Sequence, residues 1–149
     1  MLRALDRGDA SVCRLPWIRF ARAGAELSQR YGVRIVGFVP NRTTPSHGIS
    51  RRAGNEARAR TLAYFKNVVD IAAELGAEQV MVSSGWAFLN EPIEDAWGRS
   101  ASMLRAISEH AGELGVRLVL EALQSVESTI VNSAADTKRN DRGGRSSGT

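Results

Sequence analysis

Three stretches of the chain repeat one pattern: apolar residues at helical spacing, then a glycine, then a short apolar run. They read LSQRYGVRIVGFVP, AAELGAEQVMVSS and AGELGVRLVLEAL, and their glycines are Gly32, Gly76 and Gly115. Intervals of 44 and 39 residues between the glycines fit one helix, one strand and two loops, the size of a βα unit. In the second unit Leu62, Phe65, Val69, Ala72 and Leu75 recur at steps of three or four and predict a helix ending at Gly76. In the third, Trp97, Leu104, Ile107, Ala111 and Leu114 predict a helix between Pro92 and Gly115. The first unit offers a less regular version through Trp17, Phe20, Ala21, Leu27 and Tyr31, ending at Gly32.

The apolar runs that follow predict strands at Val33–Val39, Gln79–Ser83 and Arg117–Leu123. They are nearly continuous in apolar residues rather than alternating, as expected for parallel strands covered by helices. Repeated βα units build either an open doubly wound sheet or a closed barrel. No GxGxxG or GxxxxGK[ST] occupies a βα turn, so the nucleotide-binding open sheet has no motif support and the barrel is favoured. A closed eight-unit barrel commonly takes about 250 residues. The expectation is therefore a partial (β/α) TIM barrel of three to four units over residues 1–137.

SAADT at Ser133–Thr137 has the look of a capped helix start, yet it leads into KRNDRGGRSSGT rather than a hydrophobic stripe. Residues 138–149 are expected to be a disordered basic tail, and the chain a truncated or frame-disrupted piece of a longer protein. The same tail explains most of the charge. It carries three of the four net positive charges, leaving the body close to neutral, which argues against a nucleic-acid partner. A local group, Arg51, Arg52, Arg58 and Arg60, reads as the solvated start of a helix. With one cysteine, Cys13, no apolar leader and no run of about 20 apolar residues, a cytoplasmic protein without a membrane partner is expected.

In parallel βα folds, chemistry collects at the carboxyl ends of the strands. There Glu121 closes the apolar run LVLE, and an ionised carboxylate stripped of water needs pairing, hydrogen bonds or a metal. Aligned on the glycines, Glu121 falls level with Val82 and Phe38, and by alternation it shares a face with Val119 and Leu123. It is either a functional group in the barrel mouth or a strand-end acid paired with a neighbouring Arg. Glu127 follows six residues on and either converges on the same pocket or serves as a solvated or helix-capping acid. Trp86, just past the second strand, is either a pocket wall or an aromatic packed under its own loop. His47, in a loop, and His110, read as a helix-surface residue, lack partners at metal-ligand spacing, and Cys13 has no nucleophile context.

The segment from about Arg58 to Asp136 resembles the sugar phosphate isomerase/epimerase group with a xylose isomerase-like TIM barrel, most closely its ketose 3-epimerases of the tagatose, psicose and fructoselysine type. The residues carrying this are AYFKNVVDIAAELGAEQVMVSSG, the W-x-R-S of Trp97–Ser100, and GVRLVLEALQSVESTIVNSAAD. The resemblance implies that Glu121 is a ligand of a divalent metal (Mn, Mg or Co) and a proton-transfer group, and that Glu127 binds substrate oxygens. Trp86 falls where the family places pocket aromatics. The implied reaction is proton transfer beside the carbonyl of a small carbohydrate through an enediolate. The family's other ligands, an Asp, a His and a second catalytic Glu on later strands, have no match after Asp136, so little or no activity is expected of this chain alone. Two other readings stand beside it: an endonuclease IV-like DNA repair nuclease fragment, disfavoured by the near-neutral body, and a non-catalytic half-barrel that self-associates through its strand edges.

Overall fold

The structure, a computed structural model, describes residues 15–40, 49 and 54–143. His47, Arg51, Arg52 and Cys13 lie outside the described residues. Two compact units divide after Val33. The first contains helix α1, Leu15–Tyr31, the less regular of the predicted helices. It ends as the sequence implies: Gly32 takes φ +63°, and the Val33 N–H reaches the Ser28 carbonyl at 3.1 Å.

The second unit holds three parallel strands in the order β1 (Gly37–Phe38), β2 (Gln79–Ser83), β3 (Arg117–Glu121), with helices α2 (Asn55–Glu74) and α3 (Ile93–Glu113) between them and α4 (Ala134–Gly143) after them. β2 has the predicted bounds, whereas β1 and β3 are shorter than their apolar runs, because ladder pairing with β2 stops while the apolar sequence continues. The core lies between the helices and one face of the sheet, where Val69, Val80 and Ile107 are fully buried with Phe65, Val68, Ala72, Val82 and Leu104. Leu118 and Leu120 of β3 pack against it, as the alternation of a strand requires. The expected two-sided burial holds for neither strand face throughout: β2 alternates between buried and half-buried positions, and β3 is half-buried at best.

Both long helices end in the same device. Gly76 and Gly115 take φ +70°, a left-handed conformation that costs an L residue about 1–2 kcal/mol. The Ala77 N–H then reaches the Ala72 carbonyl at 2.9 Å, and the Val116 N–H that of Ala111 at 2.9 Å. These six-to-one bonds are those of a Schellman motif; they satisfy carbonyls the helix leaves open and aim the chain back into the sheet.

The strand register corrects the glycine alignment. Gln79 pairs with Arg117 and Ser83 with Glu121, so the neighbour of Glu121 is Ser83 rather than Val82. Likewise Phe38 pairs with Val80, well below that level. For β3 the cause is one extra residue between Gly76 and β2, Glu78, which has no counterpart between Gly115 and β3, whereas β1 begins two residues later after its glycine than β2 does. A one-residue slip exchanges faces. Val82 points to the helices, while Ser83 and Glu121 share the opposite face.

Helix α4 starts at the predicted SAADT segment and continues through Lys138, where the sequence places the start of a disordered tail, to Gly143. Its first turn is well capped. Ser133 Oγ accepts the Asp136 N–H at 3.1 Å and donates to the Asp136 carboxylate at 2.7 Å, and the Arg139 guanidinium lies 4.7 Å from the Trp97 ring centroid. Residues 144–149 lie outside the described residues.

The two kinds of helical glycine separate in a stability test. A Cβ at Gly115 meets no atom within 4 Å, so Gly115→Ala is penalised by backbone strain alone and should lose roughly 1–2 kcal/mol in urea unfolding. Gly112, equally open but without positive φ, should gain about 0.5–1 kcal/mol as Gly112→Ala.

Candidate functional site at the carboxyl ends of the strands

The carboxyl edge of the sheet presents two loops, residues 84–92 after β2 and residues 122–133 after β3. Each leaves the ladder with backbone polar groups that need partners, and small polar side chains supply them. Ser128 is the junction. Its hydroxyl is 1% exposed and donates to the Gly85 carbonyl at 2.7 Å. A hydroxyl has only one proton, so the fully buried Ser84 hydroxyl, 3.2 Å away, must be the donor in their contact, and the Ile130 N–H also donates to Ser128 at 3.3 Å. Next to it, Thr129 Oγ1 accepts the Ala87 N–H at 2.7 Å.

The β3 loop is closed on itself as well. The Leu123 N–H reaches the Val131 carbonyl at 3.1 Å, and the Asn132 amide donates to the carbonyls of Leu123 and Ser128, both at 2.7 Å. The β2 loop is fastened to α3. Glu91, whose side chain is 2% exposed, pairs with Arg99 at 2.7 Å through one oxygen and accepts the Phe88 N–H at 2.8 Å through the other. A buried carboxylate is tolerated when both oxygens are satisfied in this way.

Each predicted site residue can be placed on this frame. Glu121 is the last residue of β3, on the sheet face opposite the helices, and it is exposed. The desolvation that its apolar neighbours in sequence suggested is therefore not incurred in this chain. Glu127 is exposed in the turn that ends where Ser128 becomes buried. Trp86 is half-buried between Gly85 and Ala87, the two residues bonded to Ser128 and Thr129. The two loops are thus brought together, and with them the segments carrying Trp86 and Glu127. His110 is half-buried on α3, where its Nε2 lies 2.7 Å from Asp70 and ties α3 to α2.

A profile of the xylose isomerase-like TIM barrel family matches residues 4–141. The chain belongs to that family. It is 32% identical to the fructoselysine 3-epimerase of Shigella flexneri over 111 residues, covering 74% of this chain and 40% of the relative. To the L-ribulose 3-epimerase of Mesorhizobium japonicum it is 32% identical over 94 residues, 61% of this chain and 32% of the relative. Among solved structures, an L-ribulose 3-epimerase superposes with a TM-score of 0.69 at 25% identity, covering 85% of this chain and 42% of that one. The D-psicose 3-epimerase of Clostridium cellulolyticum H10, solved with D-tagatose, gives 0.72 at 16% identity, covering 89% and 47%, and supports the fold alone. The chain thus spans between a third and two fifths of the length of the curated relatives it matches.

For a xylose isomerase-like barrel, a divalent cation is the group the sequence resemblance implies. Mg²⁺ and Mn²⁺ want about six oxygen or nitrogen ligands. Among the described residues, no three His, Cys, Asp or Glu side chains gather at one point. The described residues therefore do not fit a complete site of that kind. Also among the described residues, no helix is long and apolar enough to cross a membrane.

Sequence reasoning missed Ser84, Ser128, Thr129, Asn132 and the Glu91–Arg99 pair as the frame of this edge. Part of the signal was present in the motifs themselves, since Ser128 follows Glu127, Asn132 lies in VNS, and Arg99 is the arginine of W-x-R-S. At the far end of the β3 loop, Asp136 is held below the usual aspartate range, first by the Ser133 hydroxyl, then by the Asn132 N–H, with Arg139 adding a smaller attraction. A lowered folded-state pKa contributes order that is present above the unfolded value, about 3.9, and lost as pH falls through the folded one. Protection of the Asn132 amide and of α4 against exchange, taken relative to the intrinsic rate at each pH, should fall below about pH 4. In Asp136→Asn that pH dependence should disappear.

Proposed function

We propose that this chain carries one corner of a ketose 3-epimerase active site, with Glu121 as the proton-transfer group and Glu127 and Trp86 as substrate-binding residues. One observation supports it above the others: Glu121 ends β3 on the face away from the helices, at the strand edge where parallel βα folds place their chemistry. The 3-epimerase relatives supply the reaction class.

The chemistry is proton transfer beside a carbonyl. A Glu121 carboxylate oxygen takes the proton from the ketose carbon next to the carbonyl; the C–H pair becomes the C=C bond, and the carbonyl π pair moves to oxygen, giving an enediolate. Glu127 accepts hydrogen bonds from the sugar hydroxyls and orients that carbon, while the apolar face of Trp86 excludes water on one side. A divalent cation, when bound by a complete ligand set, would offset the charge on the enediolate oxygens.

Inversion demands more than one acid on one side. A proton taken and returned by Glu121 alone goes back to the face it left. The second face requires another proton-transfer group, and the second catalytic Glu that the resemblance implies has no match after Asp136. Little or no epimerisation by the chain alone is the consequence, and the same incompleteness applies to metal binding. Titration calorimetry with Mn²⁺ should show no tight stoichiometric binding, and a micromolar one-to-one isotherm would refute the proposed incompleteness.

The role of Glu121 can be tested in a complete barrel. Residues 77–133 grafted into the matching segment of the Shigella flexneri fructoselysine 3-epimerase should retain epimerase activity. Glu121→Gln in the graft should lower kcat by roughly 10²–10⁴. A folded graft that turns over equally well with Gln at that position would exclude Glu121 as the proton-transfer group.

A further inference from the structure

Helices α2 and α3 pack side by side, but over their N-terminal halves the outer flanks do not close on each other. Ala59 of α2 and Gly98 and Ser102 of α3 are too small to fill the space between them, and a Cβ at Gly98 meets no atom within 4 Å. What remains is a groove of about 380 Å³. That is room enough for a small ligand.

The groove is apolar inside and cationic at its rim. Leu62 of α2 and Met103 of α3 line it half-buried, packed against the core, and the Ile49 beside them is buried. Open space against such side chains forfeits dispersion contacts, which an entering apolar group regains. Two charged residues line the groove, Arg58 and Arg99, and both are cations. Arg99 already has a counter-charge in the buried Glu91 carboxylate, 2.7 Å away. Arg58 is exposed and donates to the side-chain oxygen of Asn55, a neutral group that leaves the positive charge unmatched. A guanidinium has five N–H donors in a planar fork, so Arg58 has donors to spare and a shape that suits a carboxylate.

We propose that this groove binds a small monocarboxylate with an apolar tail, its carboxylate on Arg58 and its tail against Leu62, Met103 and Ala106. Charge and apolar surface each meet their complement in that orientation. A carboxylate is the anion that the fork of Arg58 pairs with, and an aliphatic or aromatic tail hydrogen-bonds to nothing and so leaves no polar group stranded among the apolar walls. A ketose, with hydroxyls all round, has no such tail. The exposure of Arg58 screens the ion pair, so binding is weak. The site lies on the helix flanks, away from the strand ends, and does not depend on Glu121, Glu127 or Trp86.

The test titrates the full chain, labelled with ¹³C-methyl methionine, with hexanoate. Met103 lines the groove, whereas Met81 sits on the sheet face away from the helices and serves as the internal control, both resonances being assigned from Met→Leu variants. The expected result is a saturable shift at Met103 with Met81 unmoved. Arg58→Gln should weaken the apparent affinity by about fivefold or more, and Arg58→Lys, which keeps the charge, should lose less. Arg60→Gln, outside the groove, should leave the titration unchanged. Gly98→Leu places a side chain in the open space at a helical position where Leu is the better residue, so it should abolish the shift while the helical circular dichroism is kept. Hexan-1-ol, with the same tail and no charge, should bind more weakly than hexanoate. Absence of a saturable shift at Met103 in the unmodified chain overturns the site. Equal binding of hexan-1-ol, or no effect of Arg58→Gln, overturns the carboxylate assignment, and a shift that survives Gly98→Leu overturns the groove as the place of binding.

Discussion

The parallel pairing of β2 with β3 is the constraint on which the rest of this edge depends. Five residues in register, from Gln79 with Arg117 to Ser83 with Glu121, end the two strands at one level. Two loops therefore leave the sheet side by side. Parallel strands cannot be joined by a hairpin, so the chain must return through a helix, and the return is aimed by the Schellman turns at Gly76 and Gly115. Each helix buries one face against the sheet through Val69 and Ile107, which fixes the distance over which it can return the chain. The carboxyl edge inherits its geometry from those two joints and that packing.

Once two loops lie together, their backbone groups must be satisfied without a ladder. Ser84, Ser128 and Thr129 do this with hydroxyls that both donate and accept, which suits a junction where the partners are a carbonyl on one side and an N–H on the other. The Glu91 carboxylate and Asn132 amide complete the set from α3 and from the β3 loop itself. The Glu91 carboxylate finds donors for both of its oxygens. The result is an edge whose interior is polar and internally bonded while its rim carries Trp86, Glu121 and Glu127.

How much of this was legible in the sequence follows from the range of the interactions. Helical periodicity and the three glycines located α1, α2, α3 and all three strands, because those signals are local and repeat every three or four residues. Ser133–Thr137 likewise announced the start of α4, since a cap and its partner lie three residues apart. The extent of α4 was missed because its polar sequence offers no stripe, and the contact of the Arg139 guanidinium with the Trp97 ring joins residues 42 positions apart. Strand register was wrong by one because it turns on Glu78, a single residue in a loop, and no periodic signal counts loop residues. The partner of His110 escaped for a related reason: Asp70 is 40 positions away on another helix. The hydroxyl junction spans 42 to 44 positions, and nothing in a lone serine or threonine marks it as a fastener.

The exposure of Glu121 and the burial of Ser128 divide the site into two physical kinds. Binding needs geometry, and hydrogen bonds from Ser128 and Thr129 to Gly85 and Ala87 join the two loops at this edge. Proton abstraction from carbon needs more: a carboxylate surrounded by water is well solvated, and transferring charge to an enediolate is favourable only where water is excluded and fixed dipoles replace it. A strand end on an open sheet face supplies position without that enclosure. A closed (β/α)8 barrel encloses its inner face with strands from the other side, and this chain spans between a third and two fifths of the length of these relatives. Position and enclosure are thus separable contributions, the first encoded by the register of β3 and the second by whatever covers the face that Glu121 shares with Ser83.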